Sequence, residues 1–296
     1  MTAETAIDYE AEYNNRRRVP GYPEIADRWA LLSSAYRLAG GSRMDQPYGK
    51  RERQRYDLFL ASNEDAPLLV YIHGGYWQRG DRKDYSFVAR ELNANGISVA
   101  IPSYSLCPKV SVMEIADEMQ LCLATLWRET GKRPVVTGHS AGGHLTAEML
   151  ARDWSGFPDV PKDLVRRGCA ISGVFELAPL IGTSINEAVG LTPGTARAAS
   201  PLFRAPPAKG RRLVAAVGGS ESEEFIRQSR AVVEKWREVE VDARCEVIPG
   251  ANHFTILDEL IRPGSALLDA IIMLAHEPDD TDGETPTRNG QPDARR

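Results

Sequence analysis

Several features are scarce in this chain of 296 residues, and each scarcity removes a class of function. No apolar run approaches the roughly 18 residues a membrane-crossing helix needs, so no transmembrane segment and no membrane partner are expected. Cysteine is sparse: Cys107, Cys122, Cys169 and Cys245 are scattered, with no C-x-x-C and no Cys/His ligand spacing. That pattern indicates neither a zinc site nor a disulfide framework, and it fits reduced, mostly buried thiols in a cytoplasmic protein. No metal and no cofactor are expected. Strong basic clusters with interleaved aromatics are missing as well. The run Arg16-Arg17-Arg18 is short and lies near acidic residues, and with a net charge of −5 it reads as a solvated face, not a nucleic-acid site. The opening MTAETAIDYEAEYNN is acidic and polar, unlike a signal peptide. There is no internal repeat, and histidine is limited to five residues, which narrows the search for a base.

What is present is ordinary in bulk: 42% hydrophobic and 26% charged residues, enough for a sizeable core. Beyond a first stretch of about 50 residues, with a helical patch near Ile25–Ala39, strand and helix signals alternate. Strands are expected at Arg55–Leu60, Pro67–Ile72, Ile97–Ile101, Pro134–Val136, Cys169–Gly173, Leu213–Val217 and Glu246–Ile248. Helices are expected at Asp84–Asn93, Val112–Leu126, Ala141–Ala151, Phe225–Trp236 and Ser265–His276. The Val112–Leu126 helix carries apolar residues at i, i+3, i+4 and i+7. Regular alternation argues an α/β fold with a mostly parallel sheet and helices on both faces. The expected organisation is an N-terminal extension (1–50) that packs on the body and wraps it or helps cover the site, a main domain (51–276) with a Pro- and Gly-rich cap insert at about 174–210, and a disordered polar tail (277–296).

Two short strings carry the chemistry. Gly138-His139-Ser140-Ala141-Gly142 reads G-x-S-x-G between a strand and a helix, the context of a nucleophile elbow. Its glycines let strand and helix approach while the turn lifts the Ser140 hydroxyl clear of the sheet. A serine needs a base, and His253, on the loop directly after the last strand, is the candidate. His276 is a poorer alternative, and His139 and His144 read as supports of the elbow. The acid should follow the Leu213–Val217 strand, where Glu221, Glu223 and Glu224 compete. Glu221 is nearest the strand end and is preferred, with Glu223 next; acids opening a helix also favour its dipole for structural reasons alone. His73-Gly74-Gly75-Tyr76-Trp77 follows the buried Leu68–Ile72 strand. The amides of Gly75 and Tyr76, with that of Ala141, are the expected oxyanion-hole donors. Gly74, Tyr76 and Trp77 are expected at the substrate, the two aromatics narrowing the acyl side and stacking on an aryl leaving group.

These strings resemble the kynurenine formamidase (arylformamidase) branch of the α/β-hydrolases. The resemblance rests on His73-Gly74-Gly75-Tyr76-Trp77-Gln78, Tyr104-Ser105-Leu106-Cys107-Pro108, the Gly138–Gly143 elbow and Ile171-Ser172-Gly173-Val174-Phe175. Glu224-Phe225-Ile226-Arg227-Gln228-Ser229 and the upstream Tyr48-Gly49-Lys50-Arg51-Glu52-Arg53-Gln54 add to it. It implies an α/β-hydrolase fold and cofactor-free hydrolysis of N-formyl-kynurenine to kynurenine and formate, a step of tryptophan catabolism. It implies Ser140 as nucleophile, His253 as base and an acid at the Glu221 position, where the family usually shows Asp. A short-chain or aryl carboxylesterase would use the same residues, and a thioesterase or a non-catalytic binder on the same fold are further alternatives. Oligomeric state is not legible, and a homodimer is left open.

Overall fold

The computed structural model describes residues 7–38 and 41–278. Ala39, which ends the expected helical patch, and the expected disordered tail from residue 279 onward lie outside the described residues. In chain order the strands are β1 (Ser42–Pro47), β2 (Arg55–Phe59), β3 (Leu68–Ile72), β4 (Ser98–Pro102), β5 (Val135–His139), β6 (Arg167–Ile171), β7 (Arg212–Gly218) and β8 (Asp242–Ile248). The helices are α1 (Tyr9–Tyr13), α2 (Asn15–Arg18), α3 (Tyr22–Arg37), α4 (Ala89–Ala94), α5 (Val112–Thr130), α6 (Ala141–Ala151), α7 (Asn186–Val189), α8 (Pro193–Ala198), α9 (Glu223–Arg237) and α10 (Ala266–His276).

The eight strands form one sheet in the order β1-β2-β4-β3-β5-β6-β7-β8. The β1–β2 and β2–β4 pairs are antiparallel; the other pairs are parallel. Strands that are buried on both faces alternate their side chains between two cores. On β3, Leu68, Val70 and Ile72 join the core beneath α5, α6 and α9, while Leu69 and Tyr71 join the one beneath α3, α4 and α10. The chain builds β4 on one side of β3 and then crosses to place β5 on the other. Neighbouring connections therefore leave in opposite directions, and a crevice opens at the carboxyl ends of β3 and β5, where ligands bind in open α/β sheets.

The expected strands and helices form with shifted ends, and two regions differ in kind. Edge strand β1 lies inside the expected N-terminal extension, so the sheet has no break at residue 50. It is polar, ends in proline and alternates between half-buried and exposed residues, the composition of an edge rather than a core strand. The expected helix Asp84–Asn93 is a 3-10 segment, Arg82–Val88, followed by short α4. Here the Ser33 hydroxyl donates to the Asp84 carbonyl (2.8 Å) and accepts from the Phe87 amide (3.2 Å), so a neighbouring side chain takes groups that an α-helix would pair internally.

Candidate active site

Three loops at the carboxyl end of the sheet bring distant residues together. Ser140 stands between β5 and α6 at φ 58° and ψ −116°, a left-handed backbone that an L-residue adopts only when its surroundings impose it. The imposition is visible in the glycines. A Cβ on Gly138 would lie 2.5 Å from the Gly142 oxygen, and one on Gly142 would lie 1.9 Å from the Ile72 oxygen. The Ser140 amide donates to the Ile171 carbonyl (2.8 Å), which ties the turn to β6.

The Ser140 Oγ lies 3.1 Å from His253 Nε2, and His253 Nδ1 lies 2.6 Å from Glu221 Oε2. His253 follows β8 and Glu221 follows β7, so two adjacent parallel strands deliver base and acid side by side. The carboxylate can only accept, so Nδ1 carries the proton and Nε2 is left to accept from the serine hydroxyl. The second carboxylate oxygen is also engaged: Oε1 accepts from the Gly218 amide (2.7 Å) and the Ser172 hydroxyl (2.5 Å). The Glu221 side chain is fully buried and the His253 side chain nearly so. Glu223 is exposed on the first turn of α9. Glu224 instead holds the N-terminal segment, accepting from the Tyr13 hydroxyl (2.8 Å) and pairing with Arg227.

The other expected histidines are supports. His139 Nε2 donates to the His253 carbonyl (2.7 Å), and burial keeps its pKa well below the usual histidine range, so it stays a neutral donor. His144 Nε2 donates to the Ala199 carbonyl of the insert (2.8 Å), with its pKa lowered to about 4 by burial. His276, at the end of α10, bonds the Asn95 carbonyl.

The Gly74–Trp77 loop lies against the nucleophile: a Cβ on Gly74 would be 3.1 Å from the Ser140 Cβ. Gly75, Tyr76 and Trp77 have φ of 117°, 48° and 56°. Three such residues in succession reverse the chain, and among the described residues the amides of Gly75 and Tyr76 donate to no protein acceptor. Ala141 is the first residue of α6, so its amide has no acceptor within that helix. The structure separates the two aromatics that sequence expected at the substrate. Tyr76 lines the cavity beside Ser140, its hydroxyl donating to the Tyr13 carbonyl (2.6 Å). Trp77 does not: its ring is fully buried in the core, edge-on to His144 at 5.0 Å. Successive left-handed residues swing neighbouring side chains apart, so adjacency in HGGYW does not put both rings on one wall.

The cavity has a volume of about 460 Å³, a size suited to a small aromatic ligand. Ser140, His253, Gly75 and Tyr76 line it. Much of its remaining wall comes from the N-terminal helices, through Asn15, Arg16, Tyr22 and Trp29, while the expected cap insert contributes Ser184 and Ile185. Sequence reasoning missed three contributors: Ser172, Asn15 and the carbonyl of Tyr13. Among the described residues, no group of three or more His, Cys, Asp and Glu is placed to hold a metal ion. Likewise, no helix there is long and apolar enough to cross a membrane.

Comparison with known proteins agrees with this architecture. The chain is 28% identical over 227 residues to kynurenine formamidase of Salmo salar, covering 74% of this chain and 76% of the relative. It is 29% identical to kynurenine formamidase of Danio rerio over 74% of this chain and 76% of the relative. A candidate thioesterase from Silicibacter sp. TM1040 superposes with a TM-score of 0.79 at 31% identity, over 91% of this chain and 99% of the other. Esterase B of Lactobacillus rhamnosis shares the fold at 18% identity, with a TM-score of 0.67 over 90% of this chain and 96% of the other. The model of one family, described simply as alpha/beta hydrolase, matches residues 69–280. That span runs from β3 past α10 and takes in the elbow, the loop after β7 and the histidine after β8: this chain belongs to the alpha/beta hydrolase family, in the part of it that resembles the kynurenine formamidases.

Proposed function

We propose that the protein is a serine hydrolase that cleaves aryl formamides, with N-formyl-kynurenine as the leading substrate, through an acyl-enzyme. The observation that carries this reading is the continuous relay from Glu221 through His253 to Ser140, 2.6 Å and 3.1 Å long, on the wall of a cavity large enough for an aryl amide. His253 takes the Ser140 proton as the hydroxyl attacks the formyl carbon, and Glu221 stabilises the imidazolium that forms. The amides of Ala141, Gly75 and Tyr76 receive the charge that develops on the carbonyl oxygen, the first at the positive end of α6. Anilines are poor leaving groups, so return of the proton from His253 to the departing nitrogen is required for the C–N bond to break. Water, deprotonated in turn by His253, releases formate from Ser140.

The similarity to kynurenine formamidases over about three-quarters of the chain supports the formyl substrate. Esters and thioesters would be served by the same groups, and the 31% identity to a candidate thioesterase supports this second reading. The test is a comparison of kcat/KM on N-formyl-kynurenine and on a phenyl ester, with fluorophosphonate labelling of the wild type and of Ser140→Ala. The expected result is kynurenine release favoured over ester cleavage, with labelling lost in the variant. Preference for the ester moves the protein to the second reading, and unlabelled wild type removes the serine mechanism.

A further inference from the structure

The mouth of the cavity presents two guanidinium groups, those of Arg16 and Arg79, that pair with no carboxylate among the described residues. Arg79 lines the cavity that holds Ser140, and among the described residues its side chain makes neither an ion pair nor a hydrogen bond. It is rooted at the reaction centre: its amide donates to the Gly75 carbonyl (3.2 Å), and a Cβ on Gly75 would come within 2.8 Å of Arg79 Cγ. Arg16, on α2, lines the same cavity; its guanidinium bonds the Tyr22 hydroxyl (2.9 Å) and lies 4.5 Å from that ring's centre. Desolvation first, and then the charge of Arg16, lower the Arg79 pKa, as expected for two cations sharing a wall. Four other arginines are paired with carboxylates: Arg28 with Asp258, Arg53 with Asp81, Arg128 with Asp159 and Arg227 with Glu224.

We propose that Arg79, assisted by Arg16, binds a carboxylate carried on the leaving-group side of the substrate, and so selects anionic aryl formamides or esters over neutral ones. This rests on the hydrolase reading of Ser140. The side follows from depth. Gly74 and Ser140 are buried at the floor, so the small acyl group lies there, while Arg16 and Arg79 are exposed, so the departing aryl portion extends toward them. A planar guanidinium can grip a carboxylate with two parallel hydrogen bonds, which fixes direction as well as attracting charge. Asp27 and Asp84 line the same cavity. They keep the mouth from being a general trap for polyanions and leave the arginine corner as the place for one negative group.

The test compares matched pairs that differ only at the carboxylate: N-formyl-kynurenine against its α-carboxamide, and 4-acetoxybenzoate against 4-acetoxybenzamide. The wild type is expected to favour each carboxylate by about tenfold or more in kcat/KM, mostly through KM. Arg79→Gln is expected to bring the ratio close to one, Arg79→Lys to restore part of it, and added salt to shrink it in the wild type. Equal turnover of the paired compounds by the wild type overturns the proposal, as does an Arg79→Gln variant that keeps the wild-type ratio. If the formamides are inert but the ester pair shows the preference, the formamide reading fails and the arginine assignment stands. If the formamides turn over with no preference, the reverse holds.

Discussion

At the scale of single residues, Glu221 shows why side-chain length is a poor guide to a carboxylate's role. The family's usual residue there is one methylene shorter, yet Glu221 reaches His253 at 2.6 Å because its other oxygen is held by the Gly218 amide and the Ser172 hydroxyl. Three fixed donors hold the longer side chain in one position, so the entropy cost of ordering its extra torsion is met on folding and not in the reaction. Glu221→Gln should therefore lower kcat by about a thousandfold or more, because an amide can present its NH2 to Nδ1 and force the wrong tautomer. Glu223→Gln, at an exposed position, should change kcat by less than about twofold. Steady-state kinetics on both variants checks this, and a larger loss at Glu223 would move the acid. The same scale shows where sequence reading stops. The order of Ser140, Glu221 and His253 was legible because each follows an expected strand, with clear apolar runs before Ser140 and Glu221 and a shorter one, Glu246–Ile248, before His253. Which of Tyr76 and Trp77 faces the cavity was not, because positive φ at both breaks the alternation by which side-chain direction is read.

At the scale of elements, the elbow depends on how closely α6 can approach β3. Gly142 is the contact point: the built Cβ position is 1.9 Å from the Ile72 oxygen, and backbone cannot give way as a flexible side chain would. Gly142→Ala should destabilise the protein by about 3 kcal/mol or more, the upper range for overpacking, and should displace Ser140 along with the helix. Denaturant unfolding and residual activity measure both effects, and a variant within about 0.5 kcal/mol of wild type would mean that the helix has room to shift. The core elements were legible from periodicity, as in α5, whose apolar stripe was read over Val112–Leu126; the Ser111–Glu114 capping box and left-handed Gly131 that start and stop it were not read, and the helix runs on to Thr130. The site's roof was harder to read. The Pro- and Gly-rich insert was expected as the cap and the first stretch as wrapping the body or helping to cover the site; much of the covering comes from α2 and α3, within that first stretch. The tie that holds them there runs from Tyr76 to the Tyr13 carbonyl and from Tyr13 to Glu224, pairs far apart in sequence with no local pattern to announce them.

At the scale of the whole molecule, the chemistry at the sheet's edge is framed by three buried histidines that remain uncharged. Burial lowers His73 and His144 to about 4 and His139 in the same direction. His73 is wedged between Tyr85 and Tyr104, His139 bonds the His253 carbonyl, and His144 bonds the insert at Ala199. For a group whose folded pKa is depressed, the unfolded chain binds the proton first. The stability it confers is therefore present above about 6.5 and is lost as pH falls toward 4, of the order of 3 kcal/mol for a buried histidine shifted this far. Glu148 acts oppositely. Burial raises it to about 7 against the pull of Arg204 and Arg152, so its contribution is present at low pH and fades as pH rises through 7. Three groups against one leave a net loss on acidification: at pH 5, unfolding should take up roughly two protons. Chemical denaturation at pH 7.5, 6 and 5 should show stability falling with that slope, and His144→Gln should reduce the uptake by about one proton. Stability that stays level or rises from pH 7.5 to 5 would mean that at least two of these rings are already charged in the folded protein. Were His139 one of them, it would meet His253 as a cation, and the neutral donor that orients the base would be lost.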